Sequence, residues 1–292
     1  MLFKGSGVAI VTPFNEDGSI DYDSYEKLLQ WHLKEGTDAI IVCGTTGEAA
    51  TMEVEEKKEI IKFTVDTINK KIPVIVGVGG NFTKKVVKMS KYSESVGADG
   101  LLVVTPYYNR ATQEGLIAHF SEIAKNTKLP IMMYNVPGRT SCNMLPETVA
   151  KLAKVENIVA VKEASGDISQ IAEIARITPS EFSIYSGNDD QIIPVLSLGG
   201  VGVVSVLENV MPKETSQLVH TYLKGNLDKA TKLQLKYNGL VKALFIENNP
   251  MPVKKALELM GKIDGYMRLP LVEVKEESTQ YISKELKNLE LI

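Results

Sequence analysis

Eight short, almost uninterrupted apolar runs recur along the chain, and they restrict its fold more than any other feature. They are GVAIVT (7–12), DAIIVC (38–43), PVIVGV (73–78), DGLLVV (99–104), PIMMY (130–134), IVAVK (158–162), FSIYS (182–186) and VGVVS (201–205). None alternates apolar with polar residues. A strand reads this way when both of its faces are buried, which happens in parallel sheets covered by helices. The segments between the runs carry helical spacing. Tyr25, Leu28, Leu29, His32 and Leu33 share one face, as do Ile60, Ile61, Val65 and Ile68. Thr51 before Glu53, Glu55 and Glu56, Thr83 before KKVVKMSKY, and Pro146 are candidate helix starts. Eight strand–helix units at intervals of roughly 20–35 residues predict a (β/α)8 TIM barrel, an α/β fold.

An open, doubly wound sheet is the structural alternative. It predicts a GxGxxG turn after the first strand, and none is present. Gly77-Val78-Gly79-Gly80 departs from that fingerprint because Phe82 occupies its last glycine position, so it reads as a tight turn. After about residue 225 no further apolar run appears. Helical stretches near 226–247, 251–260 and 275–289 follow, the first two separated by Asn249-Pro250-Met251-Pro252. The expected organisation is a catalytic barrel over residues 1–224 and a C-terminal three-helix extension over 225–292.

A net charge of −3 with no block of Lys or Arg argues against nucleic acid as a partner. The longest apolar runs are too short to cross a bilayer. The first residues, MLFKGSGVAIVTPF, lack the pattern of a signal peptide. Two cysteines, Cys43 and Cys142, make no disulfide framework. The expectation is a soluble, cytoplasmic, reduced protein that does not bind membranes.

In a (β/α)8 barrel the chemistry sits where the strands end, at their C-terminal side. The residues there are rich in hydroxyls and include one lysine, Lys162, closing the apolar run Ile158-Val159-Ala160-Val161. A solvated strand-end lysine is the ordinary reading of such a position. At the mouth of a barrel, however, desolvation favours the neutral amine and so makes a Schiff-base nucleophile. Tyr134 ends the preceding strand and Tyr108 follows the one before it, and phenols can pass protons to and from a carbinolamine. Taken singly, either tyrosine also reads as a core residue. Gly44-Thr45-Thr46-Gly47 offers hydroxyls and backbone N–H groups suited to a small carboxylate. His32, His119 and His220 fall in helical patterns and read as surface or core residues. Asp189-Asp190 reads as a helix N-cap rather than a metal pair. Gly199-Gly200 precedes the eighth strand, at the wrong face for a phosphate site. No metal-ligand spacing appears.

Four strand-end motifs stand in order: Gly44-Thr45-Thr46-Gly47-Glu48, Thr105-Pro106-Tyr107-Tyr108-Asn109, Tyr134-Asn135-Val136-Pro137-Gly138-Arg139-Thr140 and Val161-Lys162-Glu163-Ala164. On these the chain resembles, essentially end to end, the 4-hydroxy-tetrahydrodipicolinate synthase (dihydrodipicolinate synthase) family. That family belongs to the pyruvate-aldolase superfamily, which includes N-acetylneuraminate lyase. The resemblance implies a lyase of diaminopimelate and lysine biosynthesis that condenses pyruvate with L-aspartate 4-semialdehyde. It implies that Lys162 carries the imine, with Tyr134, Thr45 and Tyr108 as a proton relay. Tyr108 then comes from a neighbouring subunit, so a homo-oligomer is implied, a dimer or a homotetramer built as a dimer of dimers. Thr46 is implied to bind the pyruvate carboxylate, Gly187 and Val204 to line the pocket, and Arg139 to bind the semialdehyde carboxylate. Neither metal nor organic cofactor is implied.

N-acetylneuraminate lyase or a 2-keto-3-deoxy sugar-acid aldolase would share Lys162 and Tyr134. Arg139 and the paired threonines favour the synthase, because a guanidinium grips a carboxylate where an aldolase needs room for a polyol. A non-catalytic sensor on the same scaffold is the reading from another class. The resemblance also bears on feedback inhibition. Where lysine-sensitive members hold their effector, this chain has Ala49, Val54, Lys57, Asn81, Lys85 and Tyr107, and only Asn81 and Tyr107 keep the usual residue. Free L-lysine is therefore expected to inhibit weakly.

Overall fold

The computed structural model describes residues 1–292. Eight parallel strands close in chain order into one barrel, β1 pairing with β8. Its first half runs β1 (Gly5–Ala9), α1 (Tyr22–Glu35), β2 (Ala39–Val42), α2 (Val54–Ile68), β3 (Val74–Gly77), α3 (Thr83–Ser95), β4 (Gly100–Val104) and α4 (Gln113–Lys125). The second half runs β5 (Ile131–Asn135), the single turn α5 (Pro137–Thr140), α6 (Pro146–Leu152), β6 (Ile158–Glu163), α7 (Ile168–Ile177), β7 (Ser183–Ser186), α8 (Ile192–Ser197), β8 (Gly202–Ser205) and α9 (Pro212–Leu223). Three more helices follow: α10 (Leu227–Leu244), α11 (Met251–Leu259) and α12 (Glu276–Asn288). The expected barrel and C-terminal helices are both present.

The uninterrupted apolar runs have a structural cause. Strand side chains alternate between a layer shared with the helices and the barrel interior, and both are dry. Val8, Ile40, Val42, Val74, Val76, Leu101 and Val103 pack outward with the helices. Ala9, Ala39, Ile41, Ile75, Leu102, Met132, Ala160, Tyr185 and Val204 fill the interior with Phe3. Phe3 plugs the barrel by packing its ring 4.5 Å from that of Tyr185, whose hydroxyl bonds the Phe3 backbone.

Helix starts follow local chemistry, with two shifts from expectation. Pro146 opens α6 as its first residue, where a missing N–H costs nothing. Glu53, not Thr51, caps α2, in a reciprocal capping box with Glu56, while Thr51 ends a short 3-10 turn. Thr83 begins α3 but does not cap it; Phe82 holds that position. The second strand stops at Val42, and Cys43 turns the chain with a positive φ of 56°. Gly77 makes room for that turn, since a Cβ there would lie 2.2 Å from the Cys43 carbonyl oxygen.

The segment after the barrel reaches the turns that follow β1 and β2 through polar contacts. Lys254 of α11 pairs with Glu48 at 2.6 Å and donates to the Thr12 carbonyl at 3.0 Å, with both charged side chains fully buried. Arg268 binds the carbonyls of Gly18 and Thr51 and the carboxylate of Glu56. No helix is long and apolar enough to cross a membrane.

Candidate active site

Register places the strand-end residues. β5 and β6 align Tyr134 with Lys162 and Asn135 with Glu163, and β7 aligns Tyr185 with Lys162. Alternation turns Tyr134, Lys162 and Tyr185 into the barrel and Asn135 and Glu163 out of it. The outward pair braces the inward one. The Glu163 carboxylate accepts from Asn135 Nδ2 at 3.1 and 3.2 Å and from the Ser165 N–H at 2.8 Å. Asn135 Oδ1 accepts from the Met144 N–H at 2.9 Å.

Lys162 is 5% exposed. Beneath it lies the apolar interior of Ala160, Met132, Tyr185 and Val204. Its Nζ lies 4.3 Å from the centre of the Tyr134 ring, and no carboxylate comes within ion-pair distance of it. Burial brings the ammonium down to about 8; the buried Asp189 carboxylate opposes this, and the Arg139 charge adds to it. Burial also pushes the Tyr134 phenol up to about 12, against the pull of Arg139. Gly187 is the close wall of the pocket. A Cβ there would stand 3.0 Å from Lys162 Cε and 2.7 Å from the Ala164 Cβ.

The other expected site residues fall in three settings. Thr46 is buried in the turn after β2 and accepts from Asn249 Nδ2 at 2.9 Å, while Thr45 beside it is exposed. That turn is pinned by the Thr12 hydroxyl, which donates to the Gly47 carbonyl at 2.8 Å. Arg139 sits exposed on α5 and donates to the Asn249 carbonyl at 3.3 Å. Val204 is buried in the same interior cluster as Tyr134. Tyr108 stands apart: it is 92% exposed, on a residue with φ 71°. Its side chain does not enter its own barrel.

The Dihydrodipicolinate synthetase family matches residues 2–289 of the chain. A 4-hydroxy-tetrahydrodipicolinate synthase from Thermoanaerobacter is 57% identical over 292 residues, covering 100% of this chain and 98% of that one. One from Clostridium perfringens is 54% identical over 286 residues, with 98% of each covered. A crystal structure of dihydrodipicolinate synthase from Thermotoga maritima superposes with a TM-score of 0.98 at 47% identity, covering 100% of both chains.

The chain belongs to this family.

Three parts of this family member's rim escaped the reading of its sequence. Asp189 does not cap the helix that follows it. It is buried, and its carboxylate accepts from the Ser205 hydroxyl and from the N–H groups of Val206 and Leu207 at 3.0 and 2.9 Å. It thus ties the loop after β7 to the turn after β8, whereas its neighbour Asp190 is exposed. Burial raises the Asp189 carboxyl and those hydrogen bonds oppose the rise. The Asn135–Glu163 bracket was foreshadowed only by both residues following inward-facing ones by one position. Asn249 lay inside a segment legible as a helix break. The histidines are surface or core residues as expected. His32 and His119 are buried within helices, and burial lowers both, to about 3 and about 4. His220 pairs with Asp38 at 2.9 Å.

Proposed function

We propose that this chain condenses pyruvate with L-aspartate 4-semialdehyde to 4-hydroxy-tetrahydrodipicolinate through an imine on Lys162. The observation that carries this reading is Lys162 itself: buried on an apolar floor, beside a phenol, without a counterion, at about 8. At pH 7 roughly one such amine in ten is neutral, against roughly one in a few thousand for free lysine.

The steps balance without another reagent. Neutral Nζ adds to the keto carbon of pyruvate, and the carbinolamine loses water to give an iminium. The methyl group loses a proton, its electrons moving into the C–N system to give an enamine. The enamine carbon bonds to the aldehyde carbon, whose oxygen takes a proton. The amino group of the adduct then attacks the iminium carbon, closes the ring and expels Lys162. The imine nitrogen is the electron sink, so the chemistry calls for no cofactor. Tyr134 is the residue proposed to carry protons, relayed through Thr45 and Tyr108. Thr46 takes the pyruvate carboxylate and Arg139 that of the semialdehyde, while Gly187 and Val204 wall the pocket.

The outward course of Tyr108 favours its use in the site of a second copy, and hence a homo-oligomer. Residues 1–224 are the proposed catalytic barrel and 225–292 an extension that braces its rim. Turnover of pyruvate with aspartate semialdehyde, run beside pyruvate with N-acetylmannosamine, tests the assignment. Faster use of the sugar would overturn it.

A further inference from the structure

We infer that Asn249, supplied by the C-terminal helices, is a positioning residue that sets both carboxylate-binding side chains of the site, Thr46 through its side chain and Arg139 through its backbone. The inference rests on the roles proposed above for Thr46 and Arg139.

Asn249 lies in the short connection between α10 and α11 and is buried. Its Nδ2 donates to Thr46 Oγ1 at 2.9 Å across 203 residues of sequence. Its carbonyl accepts from Arg139 Nη2 at 3.3 Å. Its Oδ1 is buried without a partner in the chain. A threonine hydroxyl has one proton and two lone pairs. When Thr46 spends a lone pair on the Asn249 amide, its proton is left to point at another acceptor. An anionic carboxylate is then the natural partner, and the amide behind the hydroxyl strengthens that bond by polarising it. If Asn249 instead offered an acceptor, the Thr46 proton would turn away from substrate. The second contact works on geometry. Arg139 rides on a one-turn helix and is otherwise exposed, so an anchored Nη2 fixes the plane in which the rest of its guanidinium fork can receive a carboxylate.

Asn249 is itself held firmly. The Lys254 N–H closes on the Pro250 carbonyl at 3.0 Å, and the Lys254 ammonium is tied to Glu48, two residues beyond Thr46. The helices after the barrel therefore grip the carboxylate-binding turn at two places, one a charge pair and one the Asn249 amide.

The test follows pyruvate alone, by borohydride trapping on Lys162 across a range of pyruvate concentrations, and then both substrates by steady-state kinetics. Asn249→Asp keeps the shape but replaces the donor with an acceptor and a negative charge. It should raise the pyruvate concentration for half-trapping by roughly tenfold or more, the scale of one hydrogen bond to a charged group. Asn249→Ala should raise the KM of both substrates while kcat at saturation falls less. In the Thr46→Val background, Asn249→Ala, which adds no charge, should change pyruvate half-saturation little, because the hydroxyl it acts through is gone. Melting curves of each variant report folding. The inference fails if Asn249→Asp traps pyruvate as the unsubstituted protein does, or if the Asn249→Ala loss persists undiminished in the Thr46→Val background. It also fails if the variants lose kcat and melting temperature together with KM unmoved. If the unsubstituted protein itself forms no adduct on Lys162, the underlying reading fails instead.

Discussion

The end of β6 and the first turn of α11 each bury a lysine, and the two are surrounded in opposite ways. Lys254 has a carboxylate at 2.6 Å and a carbonyl at 3.0 Å, with the ring of Phe14 centred 4.6 Å from its Nζ. Burial pulls it below its ordinary value, and Glu48 opposes that pull directly. Lys162 has a phenol ring at 4.3 Å and apolar side chains beneath. Nothing near it answers the burial except Asp189, a carboxylate already committed to three donors. Depth alone therefore does not make a lysine reactive. A buried ammonium with a carboxylate and a carbonyl to answer its charge is a strut between two parts of the fold. One without them gives up its proton more readily than a free lysine.

Substituting the two residues should separate these roles most sharply. Lys162→Met should abolish turnover and the reducible pyruvate adduct, and Lys162→Arg should do the same, because a guanidinium does not shed its proton usefully. Folding should respond in the opposite sense. With Lys162 near 8 when folded and 10.5 as its ordinary value, the unfolded chain binds more protons between those values. Stability therefore rises with pH across that window. Below pH 8 the full penalty, on the order of 3 kcal/mol, is present. Lys162→Met removes it, so at pH 7 the variant should melt above the unsubstituted protein, with the gap closing towards pH 10.5. Denaturant titrations at pH 7 and pH 10 measure this; a less stable variant at pH 7 would mean that Lys162 has a counterion after all.

Lys254→Met should do the reverse. It leaves Glu48 buried without its cation, a loss on the order of 3–5 kcal/mol. The pair Glu48→Gln with Lys254→Met should recover most of that loss. An unchanged melting temperature in the single variant would show that the pair stabilises nothing, and would erase the contrast.

A smaller effect separates the two lysines by pH. The rate of imine formation at fixed pyruvate should rise with pH and reach half its limit near pH 8, following Lys162. Asp189→Asn removes the charge that opposes the shift, so its midpoint should move to lower pH. Any Lys254 variant that folds should leave the midpoint where it was. Stopped-flow or quench measurements across the pH range would show an unmoved midpoint in Asp189→Asn if Asp189 acts only as a tie between loops.

The barrel was legible in the sequence because burial on both sides of every strand leaves a local mark, an apolar run. Lys162 was legible for the same reason: a charge that breaks such a run at the functional end of a strand stands out. Tyr134 was readable from its place at a strand end within a shared motif, and Gly187 only through what the resemblance implied, and the fold does bring both to Lys162. What stayed hidden was what depends on distant pairing. Asn249 meets Thr46 across 203 residues and Lys254 meets Glu48 across 206. No local spacing encodes such a contact. In isolation Asn249 is a polar residue at a helix break and Lys254 one charge on a helix. Asp189 misled for a related reason. An acidic pair before a helix has a ready local use in capping, and only the packing of β7 against β8 turns its carboxylate elsewhere.

The smallest expected effect concerns a lysine outside the chain. Free L-lysine brings an ammonium, an α-amino group and a carboxylate, and to be held it needs what Lys254 has: acceptors facing its charges. At the corresponding face this chain presents Ala49, Val54, Lys57, Asn81, Lys85 and Tyr107. Asn81 and Tyr107 do meet, Asn81 Nδ2 donating to the Tyr107 carbonyl at 3.4 Å. Val54 and Lys85 are exposed, and Lys57 is half-buried. Two of the six residues are cations, and neither Ala49 nor Val54 carries a polar side chain. Like charges at about 4 Å repel by roughly 1 kcal/mol in water, and more where water is partly excluded. A ligand bound with a Kd of about 1 mM has about 4 kcal/mol of binding free energy to lose. Two repulsions and two missing acceptors consume most of it. Activity measured against rising L-lysine should therefore stay flat through about 1 mM. Replacing Lys57 with His and Lys85 with Glu should introduce sensitivity in an otherwise unchanged enzyme. Half-inhibition of the unsubstituted protein below that concentration would place an effector site elsewhere on the molecule.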